Sequence, residues 1–142
     1  MEIKTIFHGE RTYNEEEIIT FPKGLLGLEN CKKFILFPLE ENDNFSVLHS
    51  IEELDMGWLV VSPFQVKEDY SIELPQSLQQ RLEIGSEEEV ALLSTVTLSS
   101  DITKITANLR APLVININKR IGEQIIVDKE EYLIKHPIFK EE

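Results

Sequence analysis

The residues able to carry out chemistry in this chain are three histidines, one cysteine and a set of acidic runs. His8, His49 and His136 stand far apart, without the HxH or HxxxH spacing that puts two imidazoles on one metal ion. They read as surface or hydrogen-bonded histidines. Cys31 is followed by Lys32 and Lys33, a charge environment that suits a thiolate. A nucleophile also needs a base and an oxyanion site, and neither is identifiable. One cysteine excludes an intrachain disulfide and a multi-cysteine metal cage. The acidic runs at 15–17, 40–43, 52–55, 87–89 and 129–131 lack the alternating oxygen ligands of an EF-hand loop, so they read as solvated faces. GLLG at 24–27 is neither a P-loop nor a dinucleotide fingerprint. These residues point to no cofactor, no metal and no enzyme.

The stretch TANLRAPLVININ, residues 106–118, is chemically richer. Read as two strands around Pro112, it sets Thr106, Asn108 and Arg110 on one face, opposite Ala107, Leu109 and Ala111. Beyond the proline, Leu113, Ile115 and Ile117 oppose Val114, Asn116 and Asn118. Asparagine and arginine hydrogen-bond peptide groups and carboxylates with defined geometry. Without a general base, such a face fits recognition better than catalysis. The alternative is that Arg110 closes an internal ion pair while the asparagines cap loops.

Most of the chain that must position these groups reads as short strands. MEIKTIF alternates at the start, EIITF (17–21) leads into a Pro22-Lys23-Gly24 turn, and KFILFPL (33–39) is a compact apolar run. ENDN (41–44) is a turn cluster. FSVLHS (45–50) and WLVVSPF (58–64) follow, the latter broken at Pro63, which cannot donate to a ladder. PQSLQQRLEIG has helical grammar, with proline in the first turn, Leu78 and Leu82 on one face and Gly85 as a stop. IEELDMG (51–57) is a candidate second helical turn. EEEVALLSTVTLS, KITANLR, PLVININ and EQIIVD return to strand spacing, with a tight turn expected at Ile121-Gly122-Glu123. About nine strands and one or two small helices predict a mainly β fold, a compact antiparallel single domain spanning 1–142 that is barrel-like or sandwich-like. Phe45 and Trp58 fall in strand patterns and are expected in the core. Leu25, Leu26 and Leu28 are expected to pack, with exposed anchors as the alternative.

At 142 residues with 42% hydrophobic side chains, one sizeable core is available. MEIKTIFHGERTY has no basic flank followed by a long apolar run, and no segment reaches the roughly 18 apolar residues of a membrane helix. The expectation is a soluble cytoplasmic protein. Fourteen Lys and Arg against twenty-six Asp and Glu give a net charge of −12. That field repels nucleic-acid phosphates and steers basic protein partners.

Several long blocks carry a family resemblance. ITFPKGLLGLENCKKFILFP (19–38), FSVLHSIEELDMGWLVVSPF (45–64), TANLRAPLVININKRIGEQIIV (106–127) and YLIKHPI (132–138) resemble the flagellar assembly factor FliW family, in its order and over nearly the whole chain. One departure is Lys135, where the family often has arginine before the histidine-proline pair. The resemblance implies a small, mostly antiparallel β-barrel-like fold. It also implies a non-enzymatic cytoplasmic protein that binds flagellin and, alternatively, the RNA-binding translational repressor CsrA. Binding would hold CsrA off flagellin messenger RNA until free flagellin takes up the FliW-like protein, and a monomer suits such a switch. On this reading the CsrA-facing acidic surface is expected at Glu52, Glu53, Asp55, Glu68, Asp69 and Glu73. Asn108 and Arg110 are expected to make geometry-specific contacts, with Asn116 and Asn118 second. Two other readings stay open: a small-ligand-binding or catalytic β-barrel, and a flagellin holdase without a regulatory role.

Overall fold

Apolar runs of four to eight residues, cut by proline, glycine and polar clusters, become strands because only backbone pairing satisfies their peptide groups once both faces are covered. The computed structural model of the chain describes residues 2–5, 9–27, 29–39, 44–53 and 56–139. A hairpin of β1 (Glu2–Thr5) and β2 (Gly9–Thr12) forms a separate two-stranded sheet. The larger sheet contains β3 (Ile19–Thr20), β4 (Lys33–Pro38), β5 (Phe45–Ser50) and β6 (Gly57–Val61). It is completed by β7 (Val90–Thr97), β8 (Thr106–Ala107), β9 (Leu113–Asn116), β10 (Ile121–Gln124) and β11 (His136–Pro137). Two short helices, α1 (Pro63–Val66) and α2 (Gln76–Arg81), join β6 to β7. The fold is therefore mainly β, as the sequence pattern predicts.

Seven strands close a barrel in the order β7-β6-β5-β4-β3-β10-β9, with β9 pairing back onto β7. Closure leaves no open edge in this ring. All its pairings are antiparallel except β3 with β10, where Ile121 sits opposite Thr20. β7 makes closure possible by pairing with both β9 and β6, and it takes β8 as a third partner outside the ring. Its first four residues pair with β9, Ser94 and Thr95 with β6, and Val96 and Thr97 with β8. β11 then adds to β8 outside the ring.

Ile19, Phe21, Phe34, Leu48, Val60, Leu113 and Ile115 form the cluster that the barrel strands share, with Trp58 and Leu93 packed against it. The opposite face of β4–β6 is also covered: Ile35, Phe37, Phe45, Val47, Leu59 and Val61 pack with Tyr13, Val96 and Ala107. Strands buried on both faces need not alternate, which explains unbroken runs such as KFILFP. On the other side of the ring, Leu78 and Leu82 of α2 pack on Val114.

Four local expectations are corrected. Residues 51–53 form a bend, with the Ser50 hydroxyl accepting the N–H groups of Glu52 and Glu53, not a helical turn. The second helix instead begins at Pro63, which ends the strand before it and opens α1. α2 stops at Glu83, not Gly85. Glu83 takes a left-handed φ of 54°, while its N–H and that of Ile84 bond back to Gln80 and Gln79 in a Schellman arrangement. Ile121–Glu123 is strand, and the reversal lies at residues 117–120, with Arg120 at φ 55°. Gly122 is there for packing, since a Cβ would lie 2.7 Å from the Phe21 ring. TANLR keeps strand geometry only at Thr106–Ala107, after which the chain turns. By contrast, the turn at Pro22 forms as expected: Gly24 N–H bonds Phe21 O at 2.8 Å with Gly24 at φ 69°. A Cβ at Gly24 would meet the Glu29 backbone at 2.5 Å, so glycine is required.

Candidate functional site

Asn108, Arg110 and Asn116 spend their side chains on the chain's own backbone. Asn108 Oδ1 accepts the N–H groups of Arg110 and Ala111 at 3.1 and 3.0 Å, closing an Asx-type turn. Arg110 donates from Nε to Tyr132 O at 3.0 Å and from Nη2 to Lys129 O at 3.2 Å. Its fork clasps peptide carbonyls, where the alternative reading of the sequence expected a carboxylate. The backbone adds to this lacing: Leu109 N–H bonds Leu133 O, Val127 N–H bonds Arg110 O, and Ile125 N–H bonds Pro112 O. Tyr70 and Tyr132 stack with centroids 4.5 Å apart and bond Leu109 O and Ser71 O. Burial pushes the Tyr70 hydroxyl pKa strongly upward.

Asn116 is fully buried and spends all four of its bonding sites. Its Nδ2 donates to Leu82 O and Glu83 O at 2.8 and 3.2 Å, holding the C-terminus of α2. Its Oδ1 accepts the N–H groups of Asn118 and Lys119, shaping the β9–β10 turn. Asn118 itself is exposed. α2 is fixed a second time by Arg81, whose guanidinium grips Glu123 at 2.9 and 2.8 Å. That hydrogen bond, with Lys23 Nζ 3.6 Å from the same carboxylate, holds Glu123 below the ordinary glutamate pKa.

The acidic candidates fall in two places at opposite ends of β6. Glu52 and Glu53 are exposed in the bend before it. Glu52 accepts the N–H groups of Lys32 and Lys33 at 2.8 and 2.9 Å, which holds its carboxyl below the usual value. Glu68, Asp69 and Glu73 are exposed in the segment after α1. Lys67 Nζ lies 3.1 Å from Asp69 and lowers its pKa through that hydrogen bond. Asp55 lies outside the described residues, as do Leu28 and the turn at 41–43. Phe45 is buried and Trp58 packs against the barrel cluster, as expected; Leu25 is buried, while Leu26 is 54% exposed.

Sequence reasoning missed an exposed apolar set: Phe64, Leu98, Ile102, Ile126, Leu133 and Ile134. For Phe64 and Ile102 the signal is an apolar residue inside an otherwise polar connection; Ile126, Leu133 and Ile134 sit in short apolar runs that read as buried. Among the described residues no His, Cys, Asp or Glu trio clusters as a metal site requires, and no helix is long and apolar enough to cross a membrane. What the described surface offers is carboxylates and exposed apolar side chains.

A family model described as FliW protein matches residues 2–138. The chain belongs to the FliW family. A flagellar assembly factor FliW from Clostridium botulinum (strain Okra / Type B1) is 53% identical over 142 residues, covering 100% of this chain and 99% of the relative. One from Clostridium tetani (strain Massachusetts / E88) is 53% identical, covering 100% and 98%. A solved structure described as the crystal structure of the flagellar assembly factor FliW superimposes with a TM-score of 0.93 at 34% identity, over 100% of this chain and 99% of that one. This chain and that solved structure therefore share one overall fold over nearly their full lengths.

Proposed function

We propose that this protein is a cytoplasmic partner switch in flagellar assembly, binding flagellin and, alternatively, CsrA, and so relieving CsrA repression of flagellin translation. The observation that carries the reading is family membership across the whole chain, joined to a net charge of −12. An RNA-binding repressor presents positive charge to RNA. An acidic protein docked beside that surface attracts the repressor and repels the phosphates without entering the RNA site. The field reaches only about 8 Å at physiological salt, so docking must be close. Exposed Glu53, Glu68 and Glu73, together with Glu52 and the ion-paired Asp69, are the carboxylates we assign to CsrA.

Asn108, Arg110 and Asn116 serve the interface by shaping it, since their hydrogen bonds go to the chain's own backbone. Asn118, on the exposed β9–β10 turn, remains able to touch a partner. A monomer binds one partner at a time most simply. The test is a calorimetric titration with CsrA, repeated after saturation with flagellin. Tight CsrA binding abolished by flagellin is the expected result. Flagellin binding without CsrA binding would leave a holdase, and binding of neither would remove the reading.

A further inference from the structure

Beside α2 an open groove of about 770 Å³ runs along the outside of the barrel. Its floor is Val90 and Leu92, on the outward face of β7, and its walls bring Phe64, Leu74 and Ile84 to the surface. Phe64 is 47% exposed, so the groove opens to water along an apolar flank. The carboxylates of Glu73 and Glu87 line it, the exposed Glu83 and Glu88 adjoin its lining residues along the chain, and among its described lining residues none is lysine or arginine. Of the cations around this segment, Lys67 is paired with Asp69, and Lys129, which shares a second pocket with Glu73, donates to Ser71 O at 2.9 Å.

The groove is also braced without any ligand. Gln79 Nε2 donates to Leu74 O at 2.8 Å, fixing the chain that enters α2, and Asn116 anchors the carbonyls of Leu82 and Glu83 just before Ile84. A braced site binds with less ordering cost than one assembled on contact. Apolar walls select hydrophobic side chains, and a rim that carries carboxylates selects cations.

We infer that this groove docks a segment of another protein in which leucine-like side chains alternate with lysine or arginine. The apolar side chains enter between Phe64, Ile84 and the β7 floor, while the cations meet Glu73 and Glu87. This holds whether or not flagellin and CsrA are the partners, so the titration above and the test below can fail separately.

The probe is a fluorescein-labelled amphipathic leucine–lysine peptide of about 15 residues, read by fluorescence anisotropy. Saturable binding is expected, weakened at least about tenfold (about 1.4 kcal/mol) by Glu73→Lys with Glu87→Lys, and severalfold by Phe64→Ala. A leucine–glutamate peptide should not bind. The matched control is Glu15→Lys with Glu16→Lys, exposed residues outside the groove that change net charge equally; it should cost far less. All four positions of the two double variants are exposed, so folding is expected to survive, and a thermal melt checks it. Equal weakening by the two double variants would reduce the effect to bulk charge and overturn the inference, as would absence of binding. Sedimentation of the free protein as a dimer, dissociated by Glu73→Lys with Glu87→Lys, would assign the groove to a second copy instead.

Discussion

Asn116 does the most work of any single side chain in the family block. It is buried, and its amide joins the β9–β10 turn to the end of α2 through four hydrogen bonds. Replacing it with alanine strands two carbonyls and two N–H groups. Asn116→Ala should therefore destabilise by about 2–4 kcal/mol, measured by urea unfolding. Asn118→Ala, two residues on and exposed, should stay within about 0.5 kcal/mol. A similar loss at both positions would show that the loop tolerates neither change for reasons unrelated to capping. Arg110 poses a different test, because its fork spans two carbonyls. Lysine keeps the charge but not the planar pair of donors. Arg110→Lys should accelerate amide exchange in residues 125–133, whereas exchange indistinguishable from the parent would show the backbone lacing to suffice alone.

α2 is a short helix held at its C-terminal end by outside groups. Arg81 and Glu123 form its ionic tether, and Leu78 and Leu82 its apolar one. Glu123 and Glu52 both titrate below the ordinary glutamate value of 4.5 when folded. A depressed carboxyl adds stability that is fully present above its unfolded pKa and lost as pH falls through the folded one. The urea midpoint should therefore hold from pH 7 to about 5 and decline below 4.5. Glu123→Gln should lower the midpoint at neutral pH and flatten that acid limb; an acid limb of unchanged steepness would place the pH dependence elsewhere. The helix ends on Glu83 in the left-handed region, where a Cβ is strained. Glu83→Gly should raise stability by about 1 kcal/mol, provided the two bonds from Asn116 persist. A lower melting temperature would indicate that the Glu83 side chain is itself held.

For the whole molecule, charge and closure matter most. A net charge of −12 acts on a partner before contact. Association with a basic protein should slow steeply as salt is raised from about 50 to 500 mM, while the dissociation rate changes little, in stopped-flow measurements. A salt-insensitive association rate would mean that apolar contact alone guides docking. Closure depends on the parallel contact of β3 with β10, about a hundred residues apart in the chain, and on β7 pairing with both β6 and β9. Pairings so distant in sequence make this a fold of high contact order, so it should refold in milliseconds to seconds, not microseconds.

Strand positions at 33–38, 45–50 and 57–61, the Phe21–Gly24 reversal and the helix carrying Leu78 and Leu82 were all legible, because side-chain period and turn chemistry are local properties. So was family membership, which rests on long residue blocks. Strand spacing alone left barrel and sandwich open, since closure is a relation between β7 and β9, and only the family resemblance implied the barrel. The sequence could not say what the asparagines bond. An amide presents the same donors and acceptors on a surface and in a core, and only the arrival of Leu82 O and Glu83 O spends those of Asn116. Gly122 looked like a turn residue until Phe21 came to rest against it. The sequence by itself determined the class of fold, the acidity and the family; tertiary structure alone decided which polar groups are consumed inside and which carboxylates and apolar side chains stay outside, because burial and hydrogen-bond partnership arise from contacts between residues far apart in the chain.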